Sequence, residues 1–146
     1  MEEKIAWLKE KLRGGVSPAM ATPLLADGMT VNTAVIPDLV DFLLEAGVKA
    51  LFVGGTTGEG ILLSETERRR LHEATILASN GRLPVLLHTG TNQLPGTLAL
   101  SRHAAELGAA AIAVVTPYFY SMHDAGLAEN FHAVAAAVSD LTLLLY

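Results

Sequence analysis

Residues 50–79 read ALFVGGTTGEGILLSETERRRLHEATILAS, and this stretch changes character twice along its length. Ala50–Val53 is short and wholly apolar, as a strand buried on both faces must be. Gly54-Gly55-Thr56-Thr57-Gly58-Glu59 cannot continue a strand and reads as a loop. Ser64-Glu65-Thr66-Glu67 is a capping-box pattern, so a helix is predicted from Ser64 to about Ser79, ended by Asn80-Gly81. Strand, polar loop and long helix together make one β-α unit.

The same unit recurs on both sides. Towards the carboxyl end, Pro84–His88 reads as a strand, Thr89-Gly90-Thr91-Asn92 as its loop, and Pro95–Leu107 as a helix closed by Gly108. Ala111–Val115 is the next strand, followed by Thr116-Pro117. A helix over Asp124–Val138 then places Leu127, Phe131, Val134 and Val138 on one face, and Leu141–Tyr146 is a last apolar strand. Towards the amino end, Val16–Thr22 reads as a strand running into a loop marked by Pro23 and Asp27-Gly28. A helix follows over Ile36–Glu45, with Pro37 tolerated in its first turn. Before all of this, Ile5, Leu8 and Leu12 give Glu2–Leu12 an amphipathic helical pattern, which Arg13-Gly14-Gly15 ends. Four β-α units and an opening fifth strand, repeating every ~30–35 residues, predict a parallel α/β sheet, either doubly wound or part of a barrel.

Composition narrows the function classes. Hydrophobic residues make up 51% and charged residues 17%, which argues against a disordered chain. The net charge of −5, with scattered Lys and Arg, argues against a nucleic-acid surface. No apolar run has the length of a membrane span, and the charged start is not followed by a signal-peptide core. With no cysteine, disulfides and thiolate chemistry are excluded, and a soluble cytoplasmic protein is expected.

In parallel α/β folds, ligands bind at the carboxyl ends of the strands. The Gly54–Glu59 loop is the most informative of these ends. Gly54 and Gly55 let a ligand approach the backbone, and Thr56 and Thr57 set hydroxyls beside N–H groups. Such a run suits a small carboxylate better than a diphosphate, although a glycine turn with capping threonines is an equally good structural reading. Glu59 is expected to tie the loop by accepting backbone N–H bonds rather than to act as a base. Of the five histidines only His88 lies at a strand end, and none has zinc-ligand spacing, so no metal site is expected. His88 is expected in a pocket wall. Tyr118, Phe119 and Tyr120 form an aromatic cluster suited to a pocket or a subunit contact.

Taken together, Ala21-Thr22-Pro23, Gly54-Gly55-Thr56-Thr57-Gly58-Glu59, Gly90-x-Asn92, Thr116-Pro117-Tyr118 and Leu145-Tyr146 make the chain resemble the N-terminal half of the dihydrodipicolinate synthase and N-acetylneuraminate lyase family. The resemblance implies a (β/α)8 barrel, usually tetrameric, of pyruvate-dependent class I aldolases and synthases that need no cofactor. On that basis residues 1–14 are a helical extension and 15–146 the N-terminal half of the barrel. Thr57, with its own N–H and that of Thr56 beside Gly55, would bind the carboxylate of pyruvate or another 2-keto acid. The Thr56 hydroxyl and Tyr146 would relay protons.

Two departures qualify these roles. Phe119 stands where the synthases typically carry a tyrosine, which leaves room for an N-acetylneuraminate lyase or a 2-keto-3-deoxy sugar acid aldolase. The Schiff-base lysine of the family belongs to a sixth strand. The lysines here are Lys4, Lys9, Lys11 and Lys49, none at the carboxyl end of a strand. The chain alone is therefore expected to be inactive and incomplete, a truncated barrel that requires a complementary C-terminal half. Two other readings stand beside this one. One is a non-catalytic half-barrel that self-associates or pairs with a partner to cover its bare edge strands. The other is a doubly wound nucleotide-binding domain, disfavoured by the lack of a dinucleotide fingerprint.

Overall fold

A computed structural model describes all of residues 1–146. Helix α1 (Glu2–Leu12) leads into an extended segment. Then follow α2 (Ile36–Glu45), β1 (Leu51–Val53), α3 (Glu65–Ser79), β2 (Val85–His88), α4 (Leu94–Glu106), β3 (Ala111–Val114), α5 (Asp124–Ala137) and β4 (Thr142–Leu145). The four strands are parallel and lie in the order β1-β2-β3-β4, each new strand added to the same side. A doubly wound sheet reverses its order at a switch point; this one does not.

The strand expected over Val16–Thr22 is reduced to a single parallel bridge between Ala19 and Phe52. Lys49 N–H donates to Val16 O at 2.8 Å, Phe52 N–H to Pro18 O at 3.1 Å and Met20 N–H to Phe52 O at 2.8 Å. Pro18 sits in the middle of this ladder and has no N–H to give, which is why the pairing stays too short to be a strand.

Strand register sorts the sheet into two faces. Val53, Leu87, Ile112 and Leu143 form one cross-strand row. With Leu51, Val85 and Val114 they make the main core, packed against Val40 of α2, Leu71 of α3, Ala104 of α4 and Val134 of α5. The opposite face carries the row Phe52, Leu86, Ala111 and Thr142, and beyond it His88, Ala113 and Leu144. At the amino ends of the strands, Leu8 and Leu12 of α1 pack on Ala50, Leu86 and Ala111. Lys4 of α1 also donates to Asp140 O at 2.6 Å. Helices on one face and a second apolar face turned away from them suit a barrel wall.

Only half of the expected capping box forms. Ser64 Oγ accepts from Glu67 N–H at 3.2 Å. The Glu67 carboxylate, however, accepts the Val31 N–H at 2.7 Å and so pins the loop before α2 onto α3. No helix is long and apolar enough to cross a membrane.

Candidate active site

The loop after β1 folds back on itself. Glu59 N–H donates to Thr56 O at 3.0 Å, Gly60 N–H to Gly55 O at 3.2 Å, and Thr22 Oγ1 to Gly58 O at 2.5 Å. Gly60 is required by close approach: a Cβ there would lie 1.9 Å from Gly54 O. Glu59 corrects the sequence expectation. Its backbone takes the left-handed conformation (φ 53°), its side chain is exposed, and its carboxylate accepts no hydrogen bond. The reversal at this position swings the carboxylate outward, and the loop is closed by backbone bonds and the Thr22 hydroxyl instead. Meanwhile the N–H groups of Thr56, Thr57 and Gly58, consecutive along the turn, donate to nothing within the chain. Three unused donors on one turn form a cradle for an anion.

Tyr146, directly after β4, meets this loop. Its hydroxyl lies 3.0 Å from Thr56 Oγ1, although 90 residues separate the two in sequence. Its ring stands edge-on to Phe52 at 5.3 Å and to His88 at 5.6 Å, and Phe52 and His88 are 6.4 Å apart. Phe52, His88 and Tyr146 belong to the same sheet face by strand alternation, so three different strands converge on one spot at their carboxyl ends.

Beneath this cluster is a group that sequence reasoning missed. Arg68 of α3 is almost wholly buried and has no acidic partner at ion-pair distance. It donates to Gly90 O at 2.9 Å, to His88 O at 2.7 Å and to His88 Nδ1 at 3.1 Å. Burial lowers its pKa to about 10, against the pull of Tyr118 and Glu65, so it remains a cation at neutral pH. Burial first, and the Arg68 charge second, push His88 down to about 4 and the adjacent His72 to about 3; both rings are neutral. A signal was available in the helical period. Arg68, Leu71, His72 and Thr75 share the buried face of α3, whereas Arg69 and Arg70 lie off that face and pair with Glu65 and Glu67.

The other candidates separate. Tyr118 is half-buried, with its N–H held by Asn92 Oδ1 at 2.7 Å, which ties the loops after β2 and β3 together. Phe119 and Tyr120 stack edge-on at 5.0 Å on the surface, exposed by 88% and 79%, and do not join the Thr56–Tyr146 cluster. Lys49 lies at the opposite end of β1, lining a groove of about 760 Å³ with Trp7, Lys11 and Arg82. No group of three His, Asp or Glu side chains converges to hold a metal ion.

Comparison with known proteins adds the relatives of this arrangement. The 4-hydroxy-tetrahydrodipicolinate synthase of Exiguobacterium sibiricum is 44% identical over 132 residues, covering 90% of this chain and 44% of that protein. The human N-acetylneuraminate lyase is 41% identical over 145 residues, covering 97% and 45%. Among solved structures, YagE, a prophage protein of the dihydrodipicolinic acid synthase family from E. coli crystallised in complex with pyruvate, superposes with a TM-score of 0.87 at 36% identity, covering 92% of this chain and 45% of its own. The chain thus spans about half the length of the curated relatives it matches, and its fold is that of the N-terminal part of their (β/α)8 barrel. The family model for the dihydrodipicolinate synthetase family matches residues 12–146, and the chain belongs to that family.

Proposed function

We propose that these residues form the keto-acid-binding half of a pyruvate-dependent class I aldolase or synthase, a carbon–carbon lyase. The observation that carries this reading is the 3.0 Å contact between Thr56 Oγ1 and Tyr146 Oη, set beside the unused N–H groups of Thr56 and Thr57. Those N–H groups, with Gly55 behind them, bind the carboxylate of pyruvate or a similar 2-keto acid. The paired hydroxyls then form a short relay. When an amine attacks the keto carbon, a C–N bond forms and the carbonyl oxygen must leave as water, which requires protons delivered to it. Two hydroxyls in contact pass them without building a full charge on either.

The amine comes from outside these 146 residues. Lys4 is engaged with Asp140 at the far end of the sheet, and Lys49 lies at the amino end of β1. The complete enzyme is read as residues 1–14 forming a helical extension, 15–146 the first half of the barrel, and a complementary C-terminal half completing it. It is read as a cytoplasmic homo-oligomer, with the exposed Phe119 and Tyr120 supplying a subunit contact. A sugar-acid cleaving activity, such as that of the N-acetylneuraminate lyases, is the second reading, favoured by the absence of a hydroxyl at Phe119.

Borohydride reduction with pyruvate followed by intact mass tests the division of labour. The 146-residue chain is expected to show no pyruvyl adduct, while pyruvate shifts the Thr56 and Thr57 amide resonances. A stable adduct on the isolated chain overturns the assignment of the nucleophile, and unmoved amides overturn the carboxylate cradle.

A further inference from the structure

Three rings meet where the strands end, and only one of them is held from behind. Phe52 is fixed by packing alone and Tyr146 by packing and its hydroxyl contact with Thr56, whereas the His88 ring is gripped from behind by Arg68. A guanidinium has donors only, so His88 Nδ1 must be the acceptor in the 3.1 Å bond. In a neutral imidazole the proton then resides on Nε2. The same Arg68 nitrogen donates to the His88 carbonyl, and the other terminal nitrogen donates to that of Gly90. Ring and backbone of the strand end are thus clamped by one planar fork. His88 Nε2 is buried and has no side-chain partner; besides Arg68, the polar group that bears on the ring is the Gly54 backbone.

We propose that Arg68 is a positioning residue: it locks His88 as the Nε2–H tautomer in one orientation, and the His88 ring in turn sets Tyr146 against Thr56. The catalytic relevance rests on the keto-acid reading above; the lock itself does not. The groups around the device are Tyr118 and Glu65 near the guanidinium, His72 on the helix side, the Gly54 backbone at the ring and Tyr146 on the open side. No carboxylate forms an ion pair with Arg68, and none bonds to the His88 ring. A protonated His88 would set a second positive charge beside Arg68, and burial together with that charge disfavours it.

Long-range ¹H–¹⁵N correlation spectra of the ¹⁵N-histidine-labelled chain read the tautomer directly. The expected result is an unprotonated Nδ1 and a protonated Nε2 on His88, unchanged from pH 8 to about pH 5. A mixed or Nδ1–H population in the unsubstituted chain overturns the lock. In R68M the ring is expected to sample both tautomers, to titrate closer to 6.5, and to lose the fixed Tyr146 ring resonances. In R68K, which keeps a cationic donor, the Nε2–H form returns. An R68M chain that folds, by far-ultraviolet circular dichroism, with the His88 tautomer and Tyr146 signals unchanged also overturns the proposal. Should R68M not fold, the unsubstituted and R68K spectra decide. Pyruvate added to the same samples separates the two claims. A locked tautomer with Thr56 and Thr57 amides indifferent to pyruvate defeats the keto-acid reading and leaves the lock standing.

Discussion

Gly60→Ala is the sharpest test of the loop geometry. Gly60 is not in a conformation reserved for glycine, so the substitution meets no dihedral penalty; its cost is steric. The added methyl would sit 1.9 Å from Gly54 O and 2.7 Å from Gly54 C, both backbone atoms that no rotamer change can move. Restoring an ordinary contact requires the loop to open by more than about 1 Å. Forced overpacking of this kind costs about 2–3 kcal/mol. For a chain of this size that is a fall of about 6–10 °C in Tm. The same opening parts the Thr56 and Thr57 N–H groups, and a displacement of about 1 Å in a binding constellation can cost up to about a hundredfold in function. Thermal melts report the first effect, and amide shifts on pyruvate titration report the second. Gly28→Ala is the control: it has a φ of +69° but open space around its Cβ. It is expected to cost only about 1–2 kcal/mol of backbone strain and to leave pyruvate binding alone. If Gly60→Ala melts within about 1 °C of the parent and binds pyruvate equally, the close-approach reasoning is wrong.

Other perturbations address the relay and the buried cation. Thr56→Val is expected to change stability by less than about 0.5 kcal/mol, because the pair is exposed, yet to lower turnover about a hundredfold or more once the remaining strands are supplied. Steady-state kinetics with pyruvate measure it. Arg68→Met leaves the carbonyls of His88 and Gly90 without their donor and is expected to cost about 3 kcal/mol, read from the urea midpoint. Stability should also depend on pH in a defined window. His72 and His88 are held neutral, with pKa values pushed down to about 3 and about 4. The unfolded chain takes up these two protons below about pH 6.5 and the folded chain does not, so stability is unaffected above that pH. It then falls as the pH drops through 6.5 towards 4, at up to about 1.4 kcal/mol per unit for each histidine. Urea titrations at pH 7, 6 and 5 check this, and an unchanged midpoint would show that the rings are not buried as described.

Much of this molecule is legible in its sequence because parallel α/β architecture writes itself twice: in apolar strand runs and in the polar residues that interrupt them. Ala50–Val53 and Ala111–Val115 could be read as strands because both their faces are covered. The Gly-Thr-Thr-Gly run was readable because few loops need that composition. What was not legible depends on contacts across long separations. Nothing near Glu59 in sequence says that its backbone turns left-handed and releases its carboxylate. Glu67 fits a local cap by spacing, yet a better donor, Val31 N–H, arrives from 36 residues away. Arg68 was hidden by its neighbours, since three consecutive arginines look like a solvated face until the helical period separates one of them.

The packing of α1 has a consequence for traffic. Leu8 and Leu12 lie across Ala50, Leu86 and Ala111, and the helix is moored to the far side of the sheet through Lys4 and Asp140. The amino ends of the strands are therefore stoppered, and the sheet behaves like a cup rather than a pipe. Leu8 and Leu12 thus cover this part of the sheet face on the side away from His88 and Tyr146. Under the keto-acid function proposed above, reactant and released water would share the open rim on which Thr56 stands, and would have to take turns there.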